Sequence, residues 1–204
     1  LYMGHGANAL MMLSESFIDA GGSMDMGAWH VYSTAGGDAI NEMFLPQNSP
    51  SADARVAHPS FIADGEAGDS RLGKATMRTE TAFTDDLSSD YDFWVYTSQS
   101  SPISLIRNEE LLLISAEAKI LTDDLPGAVG DLNIVRNAAG LGGYSGAMTE
   151  EAVTDQMLHE RRYSLFGEGH RWVDMRRFNK LGELPIDRPD DDVWEEFPRP
   201  ATEG

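Results

Sequence analysis

Apolar positions follow a helical period at the two ends of this chain and lose it in between. In "ANALMMLSESFIDA", residues 7–20, Leu10, Leu13 and Phe17 recur at helical spacing with Ile18 beside them. Gly21 and Gly22 then supply a C-terminal stop, so a helix is predicted there. From this point to about residue 100 the period fades, and Gly, Ser, Asp, Asn and Pro accumulate, as in "LPQNSPSADARVAHPS". Irregular stretches of that length inside a domain are either functional or held in place by another part of the molecule. The period returns at residue 104. "SLIRNEELLLISAEAKIL" predicts a helix that is apolar round most of its circumference at Leu111 to Ile114, and hence buried between neighbours.

Three more helices are predicted. Pro126 suits a first helical turn, with Asp123 and Asp124 near the positive end of the helix dipole. Ala128, Leu132, Val135 and Ala139 line one face of that helix, and Gly140, Gly142 and Gly143 end it. Two antiparallel helices joined by a short turn are the unit of a tetratricopeptide-like array, although the repeat's usual aromatic positions are missing. Thr149 can cap the next helix, with Glu150 and Glu151 in its first turn. That helix runs to about Phe166, Gly167 and Gly169 break it, and the last helix ends near Asn179. "LPIDRPDDDVWEEFPRPATEG" closes the chain as an extended, Pro-punctuated segment. The fold class is therefore mainly α: tetratricopeptide-like helical pairs with long irregular loops. Residues 1–100 form an N-terminal helix and a loop-rich region, and residues 101–204 a helical region.

Composition narrows the functions. The chain has 204 residues, enough for one domain with a real core or two small ones. It begins at Leu1 rather than Met, as expected of a processed product or the later part of a longer protein. No apolar run reaches the roughly 18 residues of a membrane-spanning helix. Cysteine is absent, which removes disulfides, thiolate catalysis and cysteine-ligated zinc. The formal net charge of −19 repels phosphate backbones, so nucleic acid is not an expected partner. Asp outnumbers Glu, 19 to 15, and Lys occurs only at positions 74, 119 and 180. Such a surface suits saline surroundings, where screening blunts self-repulsion; it equally suits an ordinary acidic protein kept soluble by its charge.

The densest chemistry lies in "HERRYSLFGEGHRWVDMRRF", residues 159–178. Glu168 and Arg171, Arg171 and Asp174, and Asp174 and Arg177 are each three apart, so they share a helical face and can pair. Arg161 lies on the preceding helix near Glu160. With aromatics interleaved, the economical reading is a helix corner in which guanidinium forks satisfy carboxylates and helix-end carbonyls. Arg107, Glu110, Glu117 and Arg136 extend the same structural ion-pair network. His159 and His170 lack a third ligand at helical spacing, so no zinc site is expected. "DRPDDDVWEE" lacks the EF-hand ligand order and its mid-loop glycine. "GHGANA" and "GGDAINE" have neither a preceding strand nor a following Lys-Ser/Thr, so they are weak phosphate loops. There is no G-x-S-x-G elbow. No catalytic residue, metal or cofactor is expected.

Several ordered motifs resemble the SusD/RagB family of outer-membrane nutrient-binding lipoproteins. Arg107, Glu110, Leu113, Ala116, Glu117 and Ala118 form R-x-x-E-x-x-L-x-x-A-E-A. Leu132, Asn133, Val135 and Arg136 form L-N-x-V-R, followed by Ala139 to Leu141 as A-G-L. E-R-R stands at 160–162, F-G-E-G-H-R-W-x-D-M-R-R at 166–177, and "FPRPATE" where the family closes with F-P-I-P-x-x-E. "GDSRLGK", Gly68 to Lys74, looks like the family's D-P-R motif with Ser70 in place of proline. The resemblance is specific over 101–204 and loose over 1–100. The earlier helical repeats and the lipidated N-terminal cysteine of the family are absent from this chain. What the resemblance implies is a cell-surface, lipid-anchored protein of the outer membrane. It would capture an oligosaccharide or other nutrient and pass it to a TonB-dependent, SusC-like channel, without chemistry of its own. Two other readings stay open: a helical-repeat scaffold whose ligand is another protein, and a glycoside hydrolase using two of Glu160, Glu168 and Asp174.

Sugars lay apolar ring faces on aromatic side chains while polar groups take the hydroxyls, and loops on a rigid frame carry such contacts. "AWHVYS" and "YDFWVY" have the material. Trp29 and Tyr32, flanked by glycine-rich sequence, are the preferred pair, with Asp38 and Asn41 as polar contacts. Trp94 and Tyr96 are the second group, although alternation of Phe93/Val95 with Trp94/Tyr96 equally suits a short strand.

Overall fold

A computed structural model describes residues 1 and 3–196 of the chain. The closing motif "FPRPATE", residues 197–203, lies outside the described residues. In chain order the helices are α1 (Gly6–Ser14), α2 (Ser60–Ala63), α3 (Asn108–Ile120), α4 (Leu125–Ala138), α5 (Glu150–Ser164) and α6 (Arg171–Arg177). The strands are β1 (Gly27–His30), β2 (Ala75–Thr84), β3 (Leu87–Phe93) and β4 (Ile103–Arg107). Short 3-10 helices span Ser70–Lys74 and Leu181–Glu183. None of the described helices is long and apolar enough to cross a membrane.

The helical frame is built round α3, whose Leu111 to Leu113 and Ser115 to Ala118 are all buried. Leu112, Leu113, Ala116 and Ile120 meet Ala128, Leu132 and Val135 of α4 and Val153 and Met157 of α5 in one apolar core. The ends follow the predicted chemistry. Asp124 caps α4 by accepting from the Gly127 amide at 3.0 Å, and Thr149 caps α5 by accepting from the Ala152 amide at 3.3 Å. On its outer side α1 lies across α3. A Cβ on Gly6 would stand only 2.8 Å from the Ala118 carbonyl oxygen, so glycine is what permits this approach.

Three predicted boundaries move. The first helix ends at Ser14, six residues short of the predicted end at Ala20, and leaves Phe17 outside. Residues 104–107 leave the predicted second helix and, with Ile103, become β4, which pairs antiparallel with β1. The last helix, Arg171–Arg177, ends two residues before the predicted Asn179, which adopts a positive φ of 55°.

The pre-helical region also holds regular structure that periodicity did not reveal. Strands β2 and β3 form an antiparallel hairpin in which Thr84 pairs with Leu87. Its two-residue turn, Asp85–Asp86, has both residues at positive φ, 52° and 62°, the backbone hand that matches strand twist. The irregular stretch before it is tied to this hairpin and to residues 99–101. The Asn48 amide donates to Asp92 Oδ2 at 2.7 Å, Arg78 Nη2 to the Ser49 carbonyl at 2.7 Å, and the Asn41 amide to the Gln99 carbonyl at 2.8 Å. Regions 1–100 and 101–204 are stitched together: besides the β1–β4 pairing, the Asn108 side chain accepts from the Asp19 amide and donates to the Asp19 carbonyl. A second apolar cluster of Ala57, Phe61, Ala75 and Tyr163 joins α2 and the hairpin to α5.

Candidate ligand-binding cleft

Two faces of the α5–α6 corner carry the charged stretch. The inward face is an ion-pair lattice centred on Glu160, which is 0% exposed. Its Oε1 accepts from Arg136 Nη1 at 2.7 Å and from Gln156 Nε2 at 2.6 Å, and its Oε2 lies 2.7 Å from Arg71 Nη1. Arg71 also makes a fork with Asp69, through Nε at 2.9 Å and Nη2 at 2.8 Å. Arg136 makes another with Glu66, at 2.6 and 2.8 Å. A second knot holds Asp174 between Arg161 Nε at 2.7 Å and Arg177 Nη2 at 3.0 Å, and Arg177 also grips Glu117 at 2.6 and 3.0 Å. Arg107 Nη1 meets Glu168 Oε2 at 2.5 Å, and Arg107 Nη2 donates to the Ser164 carbonyl at 2.7 Å.

Lys74 donates to the neighbouring Tyr163 carbonyl at 2.9 Å, and also to that of Ser164. These contacts place two cations against the C-terminal carbonyls of α5, where the helix dipole favours them. Burial is the main reason that the Lys74 amine is lowered to about 8. Arg71, Lys74, Glu66 and Asp69 were not among the predicted network residues. The "GDSRLGK" motif contained three of them, but the contacts that tie Arg71 and Lys74 to α5 span 93 and 89 residues, beyond the reach of local spacing.

Two predicted members stand apart. Among the described residues Glu110 has no arginine partner; its Oε1 lies 3.8 Å from His170 Nε2. Arg171 pairs with neither Glu168 nor Asp174, because Glu168 is taken by Arg107 and Asp174 by Arg161 and Arg177. Its nearest acceptor is the Leu158 carbonyl, at 3.4 Å.

Glu66, His159 and Glu160 bring ligand-type atoms within 4.8 Å of one another. The position a cation would take between the two carboxylates is filled by the Arg136 guanidinium, which donates to both. The group is an ion-pair knot in which His159 is the passenger. Burial is the first cause lowering the His159 pKa below its ordinary 6.5, and the Arg136 hydrogen bond the first cause lowering Glu66 below 4.5. The signs add. The unfolded chain takes up a proton at His159 near pH 6.5 that the folded chain resists, so that stability is complete above 6.5 and falls as the pH drops towards the folded value. The Glu66 contribution is complete above 4.5 and falls at still lower pH. Thermal midpoints measured from pH 8 downwards should begin to decline at about 6.5. His159→Gln should remove that upper part and keep the lower; an unchanged upper limb would assign it to another group.

The outward face of the same corner opens on a cleft of about 480 Å³. Its walls include His58, Phe61, Arg162, Phe166, Arg171 and Trp172. Phe166 stacks on Phe61 with ring centroids 3.9 Å apart, which fixes an apolar floor. Arg162 is held by Asp64 at 2.9 Å and Ser60 Oγ at 2.7 Å, and His58 Nε2 reaches Asp187 at 3.1 Å. At Gly167, also on the rim, φ is 80° and a Cβ would stand 2.5 Å from the Phe93 ring, so no larger residue fits.

The predicted sugar contacts are distributed differently. Trp29 is half-buried on β1 and donates from Nε1 to the Asp25 carbonyl at 3.1 Å. Tyr32 packs edge-on to His30 at 4.7 Å, and Asp38 is exposed. Trp94 is half-buried against Phe44 at 6.2 Å. Asn41 is 1% exposed and spends its amide on the Ser101 carbonyl and the Met43 amide, so it fastens a loop instead of facing solvent. Tyr96 is 7% exposed and packs on Phe93, which removes it from the surface. The cleft residues, by contrast, were read from sequence only as scaffold or passed over. Trp172 and Phe166 were visible as interleaved aromatics, but no local signal says which face of a helix corner remains open.

These features define a mainly helical, loop-rich protein with an ion-paired interior beneath an aromatic cleft. The chain belongs to the SusD family, whose family model matches residues 62–200. Two solved structures share its fold. A SusD superfamily protein from Parabacteroides distasonis is 17% identical with a TM-score of 0.59, covering 86% of this chain and 46% of that one. Surface glycan-binding protein A from Bacteroides uniformis is 18% identical with a TM-score of 0.57, covering 90% and 48%. A SusD-like carbohydrate binding protein from Bacteroides vulgatus is 27% identical over 59% of this chain and 26% of its own, with a TM-score of 0.48. The chain thus spans less than half the length of each. No curated protein matches it.

Proposed function

We propose that this chain is part of a non-catalytic, cell-surface binding protein that captures oligosaccharides. Membership of the SusD family across residues 62–200 carries the reading, and the likeness in fold to a surface glycan-binding protein from Bacteroides uniformis agrees with it. In this proposal the protein is lipid-anchored at the outer membrane through an N-terminal cysteine. It hands its ligand to a SusC-like, TonB-dependent channel, and the α3–α4 pair is one unit of a tetratricopeptide-like array. Two surfaces are available for a sugar ring: the Trp172 cleft, and the loop group of Trp29, Tyr32 and Asp38, with Trp94 as a separate contact beside Phe44. The cleft is the better formed, since its aromatic floor is stacked and its polar groups converge on one space. A hydrolase built on paired carboxylates has little support, because Glu160 and Asp174 are 0% and 2% exposed and gripped by arginines.

Calorimetric titration of the full-length protein with a broad glycan panel tests the reading. Trp172→Ala should weaken binding about tenfold or more, as truncation of a buried aromatic anchor does, while Trp29→Ala reports on the loop group. Absence of binding to every glycan in the panel would overturn the proposal.

A further inference from the structure

Arg171 is the anomaly of the charged corner. Among the described residues Arg161, Arg162 and Arg177 each hold a carboxylate within 3 Å, whereas Arg171 is half-buried and holds none. A guanidinium taken partly out of water without a counter-charge is costly unless something arrives to pair with it. Burial first, and then the nearby Arg162 charge, lower its pKa, against the opposing pull of Asp174 and Glu183. The acids on the cleft wall are already engaged, Asp64 by Arg162 at 2.9 Å and Glu183 by Lys180 at 2.7 Å. The same cleft wall presents Trp172 and Phe166.

Resting on the glycan-binding reading, we propose that the cleft selects oligosaccharides bearing a carboxylate. In this assignment the Arg171 fork takes a uronate group while the sugar ring lies against Trp172 and Phe166. One unpaired guanidinium supplies one positive charge in a planar, two-donor geometry, which matches a carboxylate. The rest of the molecule argues against a polyanion, since a formal charge of −19 repels extended runs of negative charge. The selective ligand is therefore a mostly neutral chain with an isolated acidic sugar.

The test uses the full-length protein and oligosaccharides carrying a single uronate on xylose, glucose and galactose backbones. Each is compared with its methyl ester, its neutral parent and a singly sulfated counterpart. The acid form should bind about 10- to 100-fold more tightly than the ester, the range for a hydrogen bond to a charged group. Arg171→Gln should erase that difference without moving the thermal midpoint, and Arg171→Lys, which keeps the charge, should restore part of it. Equal affinity for acid and ester would overturn the selectivity and leave glycan capture standing. Tighter binding of the sulfated form would overturn the carboxylate assignment. Failure of every acidic and neutral sugar to bind would remove both proposals. Should Arg171→Gln fail to fold, the folded Arg171→Lys variant decides: a weakened acid preference supports the assignment, and an undiminished one overturns it.

Discussion

Glu160→Ala is expected to destabilise the protein by about 3–5 kcal/mol, the range for breaking a buried charge pair from one side. The carboxylate is wholly enclosed and compensates two guanidinium groups at 2.7 Å each. Among the described residues, removing it leaves Asp69 as the one carboxylate on Arg71 and the part-exposed Glu66 as the one on Arg136. Two cations then face each other across a space that Gln156 cannot neutralise. Urea denaturation gives the value directly, and a loss below about 1 kcal/mol would mean that water enters and solvates the arginines, as it does for exposed pairs. The penalty measures abandonment of the partners, not the worth of the lattice.

Leu113→Ala should cost about 2–5 kcal/mol through lost transfer energy and the cavity left behind. Leu113 is 0% exposed on α3, in the core shared with α4 and α5, and there is no solvent edge from which the site could relax. The same denaturation experiment checks it. A cost under 1 kcal/mol would show that the α3–α4–α5 interior repacks freely, contrary to the close packing expected of a single core. Leu113 and Glu160 belong to different contact groups, so the two losses should be nearly additive in the double variant.

The helical frame was legible because its signals are local. Leu111 to Leu113 announced a helix buried on several sides, Asp124 and Thr149 announced the caps, and Gly167 and Gly169 the break. The β2–β3 hairpin was not legible, since its turn is Asp85–Asp86 and lacks the glycine that normally marks a two-residue turn. Residues 104–107 were absorbed into a helix because Leu105 and Ile106 continue its apolar run, and only pairing with distant Gly27–His30 makes them a strand. In the cleft, the pair spacing of Glu168, Arg171 and Asp174 was correct helix geometry. Competition for the two acids by Arg107, Arg161 and Arg177 decided the outcome, and that competition is tertiary.

The α5–α6 corner keeps Glu160 and Asp174 on one side and Arg162, Arg171 and Trp172 on the other. Selection can therefore act on the outer set as on a replaceable tool head, altering which molecule is favoured while the mount stays fixed.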